Sequence, residues 1–357
     1  MTTNKWAVLV SSSDYWFNYR HMTSVMALYG LLTRQGFTHS NILLLNALEA
    51  ACSPLNPSPG CVYTNASKDS DMLLWDTSVD FKGREVSVLN FLGLLSGNND
   101  FPAWKRLSSD ENSLVLVYMS GHGGDGFFKF NDHEELSSRD LANVLSEMHY
   151  KRRYGRLLLV LDTCQAETLG SEITAPEVFF LASSLKWENS YGFHWSESLS
   201  AGLTDRFSFA LLQFLEQNRK SYTIRDLVGS LDPRFLHSHV FVSSTSSTYD
   251  IYDLDLLDFF SSHIDIRLLM PLSAISSSSI IEEYPTQAYL ESFDDTEDMP
   301  SLQRQSSPLS CPSIDNYQSS LEVLQERALN LVPLGLLILY LIVKWSQPQR
   351  RPKSGQL

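Results

Sequence analysis

The chain has 357 residues and a formal net charge of -14 at pH 7, with 27 Lys and Arg against 41 Asp and Glu. Phosphate backbones are gripped by clustered cations, and the body of this sequence carries no basic stripe, so nucleic acid is excluded as a partner. Its four cysteines, Cys52, Cys61, Cys164 and Cys311, are too few and too scattered for a disulfide framework or for a zinc site with paired ligand spacing.

The opening MTTNKWAVLVSS lacks a basic segment followed by a long apolar run and a small-residue cleavage site, so no signal peptide is expected. Residues 6–12 (WAVLVSS) read as a first strand, and Met22–Arg34 as a helix with apolar residues at helical spacing. NILLLN (41–46) reads as a second strand. Residues 50–70 are dense in Pro, Gly, Ser and Asn and predict a long loop, which holds Cys52, Cys61 and a glycosylation sequon at Asn65. Further strands are predicted at LVLVYMS (114–120), RLLLVLDT (156–163), VFFLASS (178–184) and HVFVSS (239–244), with helices over Ser137–His149 and Asp205–Glu216. Continuous apolar strands separated by helices predict an α/β fold, a mostly parallel sheet buried by helices on both faces.

One folded body is expected over residues 1–261. From 262 to 325 the sequence becomes rich in Ser, Pro and acids without periodicity, as in SAISSSSI and ESFDDTED, which predicts a flexible linker. Ala328–Val343 is then almost unbroken apolar sequence, followed by Lys344, Arg350, Arg351 and Lys353. A transmembrane helix over 326–345 and a basic cytoplasmic tail over 346–357 are expected, with the folded body on the lumenal side.

Two of the predicted strands run into unusual residues. SGHGG places His122 just past the strand at 114–120, and LDTCQ places Cys164 just past the strand at 156–163. Ligands of a parallel sheet bind at the carboxyl ends of its strands, and consecutive βαβ strands are usually neighbours, so imidazole and thiol are expected to face each other. A thiolate is the nucleophile of acyl transfer, and an adjacent imidazole takes and returns its proton. The amides of Gly123 and Cys164 could then hold the oxyanion of a tetrahedral intermediate. A buried, inert cysteine and a structural histidine are the bland alternatives, and it is their joint placement at strand ends that favours a dyad.

SGHGG followed about forty residues later by LDTCQ resembles the legumain-like cysteine peptidases, relatives of the caspases. NKWAVLVSSSDYWFNYRH, YMSGHGGDGFFKFNDHEEL, KRRYGRLLLVLDTCQAETL and FLASS, in that order over roughly residues 4–260, resemble the branch formed by catalytic subunits of glycosylphosphatidylinositol (GPI) transamidases. The resemblance implies Cys164 as nucleophile, His122 as general base, and Asn18 as the residue that orients the histidine, with a turn-capping Asn as its alternative. It implies a substrate pocket from Arg20, Asp162, Ser183, Ser184 and Asp205; buried ion pairing or helix capping are open for Asp162 and Asp205. Cys52 matches a cysteine tied by a disulfide to a partner subunit, with an intrachain bond to Cys61 as the competitor. The family's calcium site falls on His39, Ser78 and Asp80, of which only Asp80 offers a carboxylate, so neither a metal nor any other cofactor is expected.

The activity implied is removal of the C-terminal attachment signal of a precursor protein through a Cys164 thioester, then transfer of the new carboxyl terminus to the ethanolamine amine of a GPI lipid. Precursor proteins, the GPI lipid, other transamidase subunits and the endoplasmic reticulum membrane are the implied partners. An asparaginyl endopeptidase and a catalytically inert scaffold subunit are the alternatives.

Overall fold

The computed structural model describes residues 4–63, 72–74, 79–98, 100–217 and 222–262. Seven strands make the central sheet: β1 (Lys5–Ser11), β2 (Ile42–Asn46), β3 (Phe81–Lys82), β4 (Leu114–Ser120), β5 (Arg156–Asp162), β6 (Val178–Ala182) and β7 (Phe241–Ser244), in the spatial order β7-β6-β5-β4-β1-β2-β3. All neighbours pair parallel except β6 with β7, which is antiparallel. The strand expected at 239–244 is therefore an edge strand that returns against the others, and its residues are only half-buried.

Alternation along each strand builds two cores. Ala7, Leu9, Leu116, Tyr118, Leu158 and Val160 face one side, where α1 (Tyr19–Arg34) contributes Met22, Val25 and Leu32. Val8, Val10, Val115, Val117, Leu157 and Leu159 face the other, covered by α2 (Val88–Ser96) and α3 (Ser138–Tyr150) through Phe91, Leu95, Leu141 and Leu145. The first face is completed by α4 (Arg206–Glu216) and α5 (Ile224–Ser230), through Phe207, Leu211, Ile224 and Leu227. Each fully buried aliphatic side chain of this kind contributes roughly 1.5–3 kcal/mol.

Local chemistry sets the helix ends. Ser87 accepts the Asn90 amide and Gly97 closes α2 in the left-handed region at φ 79°. Ser137 caps α3, and Thr223 with Asp226 forms a capping box on α5. The sequence reading missed α2, α5 and the small sheets that decorate the body. Two of these bear on the site: strands 123–124, 127–130 and 134–137 after β4, and the hairpin Gly192–Ser196 with Ala201–Asp205.

The predicted loop at 50–70 is partly structured, with a 3-10 turn at Ala50–Cys52 and a short ladder between Cys61–Tyr63 and Met72–Leu74. Cys52 is disulfide-bonded. Gly60 N donates to Ala51 O at 2.8 Å, so the loop doubles back beside Cys52. Asn65, Ser78, the linker, the apolar segment at 326–345 and the basic tail lie outside the described residues. Among the described residues, no helix is long and apolar enough to cross a membrane.

Candidate active site

The parallel register fixes the geometry. Ser120 on β4 pairs with Asp162 on β5, so His122 and Cys164 each stand two residues beyond a matched pair at the carboxyl ends of adjacent strands. Gly121 N donates to Asp162 O at 3.3 Å and carries the pairing one step further toward both residues. The loop after β1 adds a third component, because Asn18 lies at the start of α1.

Asn18 is fully buried and makes no side-chain cap hydrogen bond, so its turn-capping alternative falls. Instead His122 Nε2–H donates to Asn18 Oδ1 at 2.8 Å. A carboxamide oxygen can only accept, so the bond puts the proton on Nε2 and leaves the Nδ1 lone pair as the basic site. Burial lowers the His122 pKa, with Arg20 and Lys129 adding to the effect and Asp132 opposing it.

Cys164 is the free cysteine among the described residues and is half-buried. Its thiol donates to Ser190 O at 3.9 Å, and no hydrogen bond joins it to His122. Such pairs are often long in the unliganded state and tighten only around substrate. Burial pushes the thiol pKa up, with Asp162 and Asp205 adding to the effect against the Ser190 contact and Arg20. The resting pair is thus thiol and neutral imidazole, not a preformed ion pair.

The turn that presents Cys164 is held from behind. Gln165 adopts φ 53°, in the left-handed region, and its side chain accepts the Trp187 amide at 3.2 Å. Ser183 Oγ accepts Thr163 N–H at 3.2 Å, while Ser184 Oγ accepts Ala166 N–H at 3.0 Å and donates to Thr163 O at 2.7 Å. Both serines are fully buried, and their hydroxyls are engaged by the backbone around Cys164.

Close approach explains Gly123. A Cβ there would lie 2.6 Å from Thr163 Oγ1 and 2.9 Å from Phe127 O, so only glycine lets the His122 loop lie against the Cys164 turn. The Cys164 amide has no hydrogen-bond acceptor among the described residues, as an oxyanion donor requires.

Beneath the dyad sit two carboxylates in different company. Arg20 Nε donates to Asp205 Oδ1 at 2.9 Å, while Ser120 Oγ donates to Asp205 Oδ2 at 3.1 Å. Asp205 precedes α4 but its side chain does not cap it, which leaves ion pairing as its role. Burial and the charge of Asp162 push Asp205 up to about 7, against the pull of Arg20. Asp162 has no cationic partner; it accepts Ser190 Oγ–H at 2.6 Å and Ser208 N–H at 3.2 Å, and also the Ser208 hydroxyl. Burial raises it, while those serine bonds pull it back.

The sequence reading missed Ser190, which touches the thiol through its carbonyl and Asp162 through its hydroxyl. Nothing in its spacing distinguishes it from other serines. Of the positions implied for calcium, His39 is hydrogen-bonded to the Tyr29 hydroxyl and Asp80 Oδ2 accepts Leu44 N–H at 2.9 Å. Both groups are engaged by the protein itself.

Comparison with known proteins places the chain in a family. The chain is 40% identical over 271 residues to a GPI-anchor transamidase of Schizosaccharomyces pombe, covering 74% of this chain and 71% of that protein. It is 35% identical over 315 residues to a GPI-anchor transamidase of Homo sapiens, covering 84% and 79%. Residues 5–252 match the Peptidase C13 family, which spans every strand of the central sheet and both ends of the candidate dyad, and the chain belongs to that family.

Proposed function

We propose that this chain is the catalytic subunit of a GPI-anchor transamidase, working through Cys164, His122 and Asn18. The observation that carries the reading is the matched position of His122 and Cys164 beyond Ser120 and Asp162, with Asn18 fixing the imidazole. Curated relatives from yeast to mammals bear the name GPI-anchor transamidase.

Cys164 Sγ attacks the carbonyl carbon at the attachment site, and its proton passes to His122. The carbonyl oxygen becomes an oxyanion facing the Gly123 and Cys164 amides. As the tetrahedral intermediate collapses, the C–N bond breaks and His122 returns the proton to the departing amine. The resulting thioester is opened by the ethanolamine amine of the GPI lipid, which gives up a proton to His122; collapse then forms the amide and regenerates the thiol. Because the resting imidazole is neutral, it is ready to accept a proton at neutral pH.

Arg20, held by Asp205, lines the approach to the attachment residue, and Asp162 supports the turn from below. The body works on the lumenal side of the endoplasmic reticulum membrane, tethered by the segment at 326–345 and assembled with other subunits. Both substrates, a precursor with an apolar tail and a glycolipid, reside in that bilayer.

Expression of the chain in cells lacking their own transamidase catalytic subunit tests the reading. GPI-anchored protein should return to the surface with the parent chain and not with Cys164→Ala. Rescue by Cys164→Ala would show an inert scaffold. Soluble cleavage after asparagine that ignores added amine would show an endopeptidase.

A further inference from the structure

His122 has a second neighbour from the segment that carries Asn18. The His21 ring packs edge-on against the His122 ring, with centroids 5.0 Å apart and planes at 85°. Asn18 and His21 are three residues apart, so they fall on the same side of the chain as it enters α1. His21 is only 3% exposed, and its Nδ1 is hydrogen-bonded at 3.0 Å to the buried Ser13 Oγ, which fixes the ring's rotation. One short stretch, Ser13 to His21, thus supplies both a hydrogen-bond acceptor for the imidazole edge and a wall against the ring.

Resting on the reading of His122 as the base, we propose that His21 is a positioning residue for His122: its ring, locked by Ser13, holds the imidazole plane in line with Cys164 and keeps water away. The electrostatics fit this role. Burial, with Arg20 and His122 adding to it, holds His21 well below the ordinary imidazole range. A neutral His21 does not repel the imidazolium that forms during each acyl transfer. The other charges that act on His122 are Arg20 and Lys129, which disfavour its protonation, and Asp132, which favours it. None of these supplies a ring contact.

The test uses the full-length protein in detergent, with amine transfer read as kcat and KM across pH and, separately, the rate of His122 acylation by diethylpyrocarbonate across pH, followed at that residue by mass spectrometry, since only the neutral imidazole reacts. His21→Ala should lower kcat about tenfold with KM within about twofold, as expected for misplacement of a reacting group. It should also move the acid limb of both profiles up toward the ordinary imidazole value, because water then reaches His122. His21→Phe, which keeps a ring but not the Ser13 bond, should shift the limb no further than Ser13→Ala does and hold kcat within about threefold of the parent. Ser13→Ala should shift the limb in the direction of His21→Ala by a smaller amount.

An unmoved limb and unchanged kcat in His21→Ala would overturn the proposal, as would His21→Phe behaving like His21→Ala. Should His21→Ala fail to fold, Ser13→Ala decides, and an unmoved limb there overturns it. The His122 labelling needs neither precursor nor lipid. A parent chain without amine transfer whose labelling limb still shifts on His21→Ala would refute the transamidase reading and leave this inference standing.

Discussion

Asn18 Oδ1 accepts the His122 Nε2 proton at 2.8 Å, and that one bond decides which imidazole nitrogen is left to act as base. Removing it by Asn18→Ala frees the ring to rotate and to exchange tautomers. We expect kcat for amine transfer to fall about a hundredfold, within the range of general acid–base contributions, with little change in KM. Asn18→Asp should instead place a negative charge against the ring and favour imidazolium, raising the acid limb of the kcat profile. Steady-state kinetics of the two variants across pH checks both expectations.

The thiol is raised and the imidazole lowered, chiefly by burial in each case. A raised thiol pKa means less thiolate at any given pH, and a lowered imidazole pKa means the base is already neutral at pH 7. Iodoacetamide labelling of Cys164 in the resting protein should therefore show no fast plateau between about pH 5 and 7, and should accelerate only at alkaline pH. A plateau in the acidic range would show a preformed thiolate–imidazolium pair.

Ser184 bridges Ala166 N–H and Thr163 O directly behind Cys164. Ser184→Ala leaves the Ala166 N–H buried and unsatisfied, while Thr163 O keeps the Ser183 hydroxyl at 3.2 Å, and the orphaned donor costs about 1–3 kcal/mol. A drop of about 5 °C in melting temperature is expected, read by differential scanning calorimetry.

Asp205 is pushed up to about 7 in the folded chain, above the value of an exposed aspartate. The folded state then binds the extra proton between those two values, so this group's contribution to stability is fully present below the unfolded pKa and is lost as pH rises through about 7. Urea unfolding midpoints should decline across that window in the parent. In Asp205→Asn the decline should flatten, and the loss of the partner of Arg20 should show as weakened substrate binding.

Much of the body was legible in the sequence. The run at 114–120 is β4 to the residue, and the strands at 6–12, 41–46 and 156–163 were placed within one residue at their ends, because apolar runs cut off by glycine or polar residues have few other places to go. The helix expected from Met22 begins at Tyr19, since the first turn carries Tyr19, Arg20 and His21, residues whose burial is decided by neighbours distant in sequence. The hairpin at 192–205 and α5 were not seen, because Gly192–Ser196 and α5 are largely part-exposed and give weak periodicity, and Ala201–Asp205 is short and mixes polar residues into a buried strand.

The sequence by itself determined that a histidine and a cysteine end two buried strands, since motif and apolar pattern are both local properties of the chain. Only the tertiary structure decided that Ser183 and Ser184 brace the Cys164 turn, and that Asp205 pairs with Arg20 while Asp162 is held by serines. Those assignments depend on which groups meet across 20 to 185 residues of chain, and no pattern along the backbone encodes the direction in which a hydroxyl or a carboxylate points once the sheet has closed around it.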